Sequence, residues 1–347
     1  MSEMHLFAGG NTAQGFYSCF EDILPKTQRR RMFYIKGGPG VGKSTLMNRV
    51  AGAAAEAGQQ VEYFHCSSDP DSLDGIALPQ LGWAMMDGTA PHVYDPVIPG
   101  ARDTLLSLGD FLDEDAMRPK AREIDRLQQE ISQRFRRCYR FLSAAGQLGK
   151  LCGAPYELRK DALHQLAREW TADLPRRGGH GSCRRLFASA FTPKGLVDVL
   201  PLDGLTVQWV ECPQTNCLTP LWQELSWTAC WRGLPVVHLL NPLWPEELDG
   251  VLLPNQKLLF RTCQPNTRPE AVPLEKWLKG ESVAEGSDKE QNYDRNAFEL
   301  MLQRALEQLG CAKKLHDELE SHYAGHMDFL GWQQKLEKVL CQLKSSL

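Results

Sequence analysis

Gly37-Gly38-Pro39-Gly40-Val41-Gly42-Lys43-Ser44 satisfies the pattern GxxxxGK[ST] in full. The run before it, Arg31-Met32-Phe33-Tyr34-Ile35, is apolar and aromatic and reads as a buried strand; Thr45-Leu46-Met47-Asn48-Arg49-Val50-Ala51 after it reads as a helix start. Strand, glycine loop and helix in that order make a phosphate cradle. Glycines let the backbone wrap closely round oxygen atoms, and successive N–H groups with the helix N-terminus stabilise anions. The expected lining is Gly38, Pro39, Gly40, Val41, Gly42, Lys43, Ser44 and Thr45. Lys43 would reach the β- and γ-phosphates of a nucleotide, Ser44 would place its hydroxyl on Mg²⁺, and Thr45 would approach the α-phosphate. The ligands this implies are ATP and Mg²⁺.

Downstream, Trp83-Ala84-Met85-Met86-Asp87 is an apolar run ending in an acid, the pattern of a strand whose terminal carboxylate supports Mg²⁺. Lys43 and Asp87 are therefore the expected catalytic pair, with Ser44 and Asp87 as metal ligands. Two further clusters, His65-Cys66-Ser67-Ser68-Asp69-Pro70-Asp71 and the loop holding His92 and Asp95, should open on the same sheet edge. They read equally as turn chemistry.

The chain also repeats itself. His5-Leu6-Phe7-Ala8 with Thr12 and Gly15 returns as Arg185-Leu186-Phe187-Ala188 with Thr192 and Gly195, at an offset of 180; Leu73-Asp74-Gly75 with Pro79 returns as Leu248-Asp249-Gly250 with Pro254, at 175. Each copy ends in a helical stripe, Ile131, Phe135, Cys138, Leu142, Ala145 and Leu148 in the first and Phe298, Leu302, Ala305, Leu309, Ala312 and Leu315 in the second. A breaker-rich stretch from Arg176 to Ser182 separates the copies. Matching Pro39 to Pro213 puts Gln214 at Gly40, Asn216 at Gly42, Cys217 at Lys43 and Leu218 at Ser44, and Thr262 falls at Asp87. On that alignment the second copy has lost the lysine, the hydroxyl and the carboxylate, so one nucleotide per chain is expected. Residues kept by both copies, Thr12, Gly15, Asp74 and Gly75, lean towards scaffold.

Composition bounds the rest. The 347 residues are 42% hydrophobic and 24% charged with a net charge of −4, which suits globular domains and offers no global basic field for nucleic acid. The eleven cysteines are scattered without a CxxC pair, so no disulfide framework is expected and a reducing cytoplasm fits. No apolar window is long enough to span a membrane. His316 and Glu320, within Lys314-Leu315-His316-Asp317-Glu318-Leu319-Glu320, would share a helix face, read here as solvated.

The set LFA, GGPGVGKST, HCSSDPDSLDG, MDGTAPHVYDP and KLHDELE, spread over nearly the whole chain, resembles a bacterial family of duplicated P-loop ATPases without an assigned substrate. That family often carries a GKST-type loop in its second copy too, and this chain departs from it at Cys217 and Leu218. The resemblance implies ATP binding and little else. The expected architecture is α/β, two tandem P-loop NTPase-like domains with mainly parallel sheets, each followed by a long helical segment, spanning 1–178 and 183–347. Three functions stay open: an ATPase coupling hydrolysis to a conformational or partner-binding change, which leads; a small-molecule or nucleotide kinase; and a nucleotide-sensing scaffold. No NKxD-like guanine element and no LSGGQ-like segment occurs, and Gly88 rather than Glu follows Asp87. A kinase would need arginines, for which Arg102, Arg118 and Arg122 are the candidates.

Overall fold

The computed structural model describes residues 3–89, 93–152, 157–212, 215–264, 266–274, 277–279 and 288–347. In the first half the elements are β1 (Glu3–Phe7), β2 (Gly9–Thr12), β3 (Gly15–Ser18), β4 (Arg31–Lys36), α1 (Lys43–Glu56), β5 (Val61–Cys66), β6 (Asp69–Leu78), β7 (Trp83–Asp87), β8 (Asp103–Ser107), α2 (Glu114–Met117) and α3 (Ala121–Gly149). A bridging segment holds β9 (Glu157–Leu158) and α4 (Lys160–Trp170). The second half has β10 (Cys183–Leu186), β11 (Ser189–Thr192), β12 (Gly195–Asp198), β13 (Thr206–Glu211), α5 (Thr219–Trp231), β14 (Val236–Leu240), β15 (Leu248–Leu253), β16 (Leu258–Cys263), β17 (Val272–Pro273), β18 (Leu278–Lys279), α6 (Asp288–Ala324) and α7 (Phe329–Lys344).

Two six-stranded sheets share one strand order, β1-β5-β6-β7-β4-β8 and β10-β14-β15-β16-β13-β17. Both are mixed and mainly parallel: only β6 in the first and β15 in the second run against their neighbours. The repeat extends to single bonds. Thr12 Oγ1 donates to Gly15 O at 2.9 Å, and Thr192 Oγ1 to Gly195 O at 2.9 Å. Phe7 and Phe187 exchange backbone bonds of 2.8 and 3.0 Å, so equivalent strand ends meet where the halves join. A buried pair found once in the repeat also crosses that junction. Arg184 bonds Glu62 twice, at 2.6 and 3.0 Å, and caps the Ile23 carbonyl at 3.0 Å.

The apolar stripes on α3 and α6 meet each other, antiparallel. Lys120 faces His326, Arg126 faces Glu318, and Gly149 lies against Phe298. Cys138, Leu142, Ala305 and Leu309 form one buried layer, Leu127, Ile131 and Leu319 another. The helices that follow are exchanged between the halves: α7 packs on α1, while α4 packs on α5. Both are anchored alike. Asp328 N donates to Phe111 O at 2.7 Å, and Arg159 N donates to Trp277 O at 3.0 Å. Beside these anchors Met327 bridges Leu112, and Leu158 pairs with Leu278. Trp332, Leu336, Val339 and Leu343 of α7 join the core over α1, each such side chain contributing about 1.5–3 kcal/mol by burial.

The cysteines depart from expectation. Cys212 and Cys217 are bridged, five positions apart. Nothing in the spacing marked them as a pair. Among the described residues no helix is long and apolar enough to cross a membrane.

Candidate functional site

The glycine loop leaves β4 at Lys36 and enters α1 at Lys43. Strand β4 is driven inward by Met32, Phe33, Tyr34 and Ile35, all buried, and its neighbour β7 by Trp83 to Met86. Because these strands are parallel and in register from Arg31↔Trp83 to Ile35↔Asp87, Asp87 ends β7 beside the loop. Left-handed backbone at Gly40 (φ 71°) and Gly42 (φ 83°) turns the chain into the helix. Val41 is buried and anchors the loop from beneath, whereas Thr45 stands exposed on the first turn of α1.

Polar groups converge there. Lys43 Nζ donates to the carbonyls of Gly37 and Gly38 at 2.9 and 2.8 Å and lies 3.5 Å from Asp87. Asp87 accepts the Thr89 N–H at 2.8 Å, and the Thr89 hydroxyl donates to Gly37 O at 3.0 Å, tying strand end and loop together. Ser44 Oγ accepts the Leu73 N–H at 3.0 Å from β6. The next residue, Asp74, is buried; burial, reinforced by the Asp87 charge, pushes its carboxyl up to about 7. Lys43 and Asp87 are thus paired, and both charges act on Asp74, a carboxyl that the two copies share.

In the cluster from His65 to Asp71, His65 and Cys66 end β5 and Asp69 to Asp71 open β6 on this edge. Its His65 turns to His5 (2.8 Å) and to the Pro70 carbonyl (2.7 Å). Asp69 faces Lys313 of α6 at 3.3 Å. Asp95 pairs with Lys36 at 2.9 Å. His92 lies outside the described residues. Arg102 is held by Asp103 at 2.6 Å, and Arg118 by Asp115 at 2.8 Å; Arg122 is exposed.

The face of α6 that carries His316 and Glu320 keeps these side chains partly exposed, at 41% and 39%, and its backbone overlies the loop. A Cβ on Gly40 would lie 3.0 Å from the Glu320 carbonyl, one on Gly38 would lie 2.8 Å from the Tyr323 ring, and one on Gly42 would lie 3.0 Å from Trp332 Nε1. His316, 3.5 Å from Glu320, is held below its ordinary range by burial, with the Lys313 and Lys43 charges adding to the effect and Glu320 opposing it. Bonds to Asp317 and Asp69 outweigh burial and raise Lys313. Helix periodicity alone could not reveal these neighbours, because they depend on the exchange that carries α6 and α7 onto the first half. Chain length and local pattern give no sign of it.

The second loop corrects the alignment made through the prolines. Thr219 Oγ1 accepts the Leu248 N–H at 3.0 Å, as Ser44 does from Leu73. The offset of 175 therefore runs unbroken through the loop, and Leu218, not Cys217, stands at Lys43. Thr219, not Leu218, stands at Ser44, so the hydroxyl is kept; it also donates to Glu247 at 2.8 Å. Cys212 and Cys217, at the positions of Gly37 and Gly42, are bridged across the loop. Pro213 and Gln214 lie outside the described residues. Strand register confirms Thr262 opposite Asp87, since Val210↔Thr262 repeats Ile35↔Asp87. No family model, no curated protein and no solved structure matches this chain.

Proposed function

We propose that the chain is a P-loop NTPase with one working site, binding Mg-ATP at Gly37–Thr45 and coupling its hydrolysis to the packing of α6 and α7 on that loop. One observation carries the reading: a lysine, a hydroxyl and a carboxylate converge on a glycine cradle at a strand–helix junction, and the equivalent junction lacks the lysine and the carboxylate. The donor set suits the ligand. Backbone N–H groups and Lys43 would hold the phosphates, and Ser44 and Asp87 would hold Mg²⁺, which supplies charge neutralisation. Coupling is supported by Glu320, Tyr323 and Trp332, which touch the loop from the other half of the chain. The kinase reading draws no support from Arg102 or Arg118, whose guanidiniums are already engaged by carboxylates. A protein partner or a small-molecule acceptor would complete the cycle, in the cytoplasm.

The test is equilibrium binding and turnover on the purified chain. Titration calorimetry should give a stoichiometry near one, and Lys43→Ala should weaken Mg-ATP by at least tenfold, about 1.4 kcal/mol. Unchanged affinity in that variant, or a second site that survives it, would sink the assignment. An acceptor screen with Mg-ATP separates hydrolysis from phosphotransfer.

A further inference from the structure

The two exchanged helices are equivalent at their starts, and this fixes which residue each presents near a loop. Asp328 and Arg159 occupy the same anchoring position, bonded to Phe111 O and Trp277 O. Four residues on, Trp332 N donates to Asp328 O at 3.1 Å and Leu163 N to Arg159 O at 2.9 Å. Trp332 therefore corresponds to Leu163. The half with the intact glycine loop receives an indole, and the half whose loop is bridged by Cys212 and Cys217 receives an alkyl side chain.

The indole is more than filler. Trp332 is 9% exposed and seals the core over α1 with Leu336 and Val339, a task Leu or Phe would also perform. Its Nε1 is buried and donates to no atom among the described residues. A buried N–H without an acceptor costs about 1–3 kcal/mol, and such donors are rare in folded chains. It is the nearest atom, at 3.0 Å, to where a Cβ on Gly42 would stand, with two carbons of the same ring at 3.2 and 3.4 Å, so the nitrogen edge of the indole packs on the residue that leads into Lys43.

We propose that Trp332 is a ligand-binding residue of the loop, donating its indole N–H to a phosphate oxygen of the bound nucleotide. The inference rests on the Mg-ATP reading above and adds the contact through which the second half of the chain registers occupancy. An indole N–H suits the task because it can donate but not accept, and so favours an oxyanion over other groups. The donor comes from α7, so nucleotide and α7 hold one another in place. By linkage, whatever lifts α7 from α1 must weaken nucleotide binding by the same factor.

The experiment uses the full chain with ¹⁵N-labelled tryptophan. The indole resonance of Trp332 is identified by its loss in Trp332→Phe, which keeps an aromatic ring in the core and removes the donor. Saturating Mg-ATP should move that resonance downfield in the parent, and Lys43→Ala should need at least tenfold more nucleotide for the same movement. Trp332→Phe should bind Mg-ATP about tenfold more weakly, the loss expected for one charge-assisted bond. Its thermal midpoint should stay within about 2 °C of the parent. A resonance that does not move in a parent shown by calorimetry to be saturated overturns the inference, as does undiminished affinity in Trp332→Phe. If the Phe variant proves less stable, the resonance in the unmutated chain still decides. A parent that takes up no Mg-ATP overturns the nucleotide reading and this inference together, and calorimetry distinguishes that result from the others.

Discussion

Gly37–Ser44 and Cys212–Thr219 join equivalent strands to equivalent helices, yet only the first retains a cation at the helix start. The frame around them is the same. Ser44 and Thr219 each use a hydroxyl to hold the following antiparallel strand, at Leu73 and Leu248, with the same 3.0 Å bond. The comparison shows that a hydroxyl at this position is first a structural device, which a metal can recruit but which is no sign of one. Lys43 and Asp87 are different: they stand 3.5 Å apart in one half, and Leu218 and Thr262 replace them in the other. In the second half Trp222 Nε1 donates to the Thr262 hydroxyl at 3.2 Å, filling with packing the place that the first half leaves to charge.

The strongest test of that shared frame is a buried ion pair that the repeat does not duplicate. Arg184 and Glu62 are 8% and 9% exposed, and they link the two halves. Arg184→Ala strands a buried carboxylate and should cost about 3–5 kcal/mol in urea unfolding, whereas Arg184→Met with Glu62→Leu should return to within about 1 kcal/mol of the parent. A small loss in the single variant would mean that the halves are held together elsewhere.

Next in size is a pH effect in the second half. Asp249 is half-buried, and burial raises its carboxyl to about 6, partly offset by the bond from Asn241 at 2.8 Å. A raised acid binds its proton more tightly when folded. Its stabilising share is therefore complete below about pH 4, the unfolded value, and is lost as pH climbs through 6. Asp249→Asn should remove about 1–3 kcal/mol of that decline, measured as denaturation midpoints between pH 4 and 7. An unaltered slope would place the titration on other groups.

At the loops themselves, Asp87→Asn keeps shape and removes charge, so turnover should fall about tenfold, roughly 1.4 kcal/mol, with weaker dependence on Mg²⁺. Thr262→Ala in the other half should leave turnover unchanged. Equal rates for Asp87→Asn and parent at limiting Mg²⁺ would remove Asp87 from the metal.

Much of this was open to reading from local pattern. A complete GxxxxGK[ST] between an apolar strand and a helix fixed β4, the loop and α1, and the apolar run Trp83 to Met86 fixed β7. Strand β6 was hidden because it opens Asp-Pro-Asp-Ser, and its Leu73-Asp74-Gly75 reads as a turn; its ladder to β5 and β7 outweighs that local preference. The proline alignment failed because a single residue type cannot hold a register that the strands and the hydroxyl bonds define. Nothing local says that α7 leaves its own half to cover α1, so Glu320, Tyr323 and Trp332 could not be assigned to the loop before their packing was known. The same holds for Asp74, whose environment depends on Asp87 approaching from β7 and Lys43 from α1.

The smallest expected effect tests the symmetry most cleanly. Gly15 and Gly195 close matching hairpins between β2 and β3 and between β11 and β12, with φ of 98° and 105°. A Cβ at either would meet nothing within 4 Å, so Gly→Ala adds no clash at either position. What remains is backbone strain, since L side chains rarely adopt this conformation, with a cost of about 1 kcal/mol at each site. Both hairpins carry the same internal bond from a threonine hydroxyl, so the surroundings give no reason for the costs to differ. Gly15→Ala and Gly195→Ala should therefore lower stability by equal amounts, to within about 0.5 kcal/mol, and their effects should add in the double variant. Neither should alter Mg-ATP affinity. A change of affinity with Gly15→Ala alone would show that this hairpin, unlike its counterpart, belongs to the working site, and that the frame shared by the two halves has itself diverged.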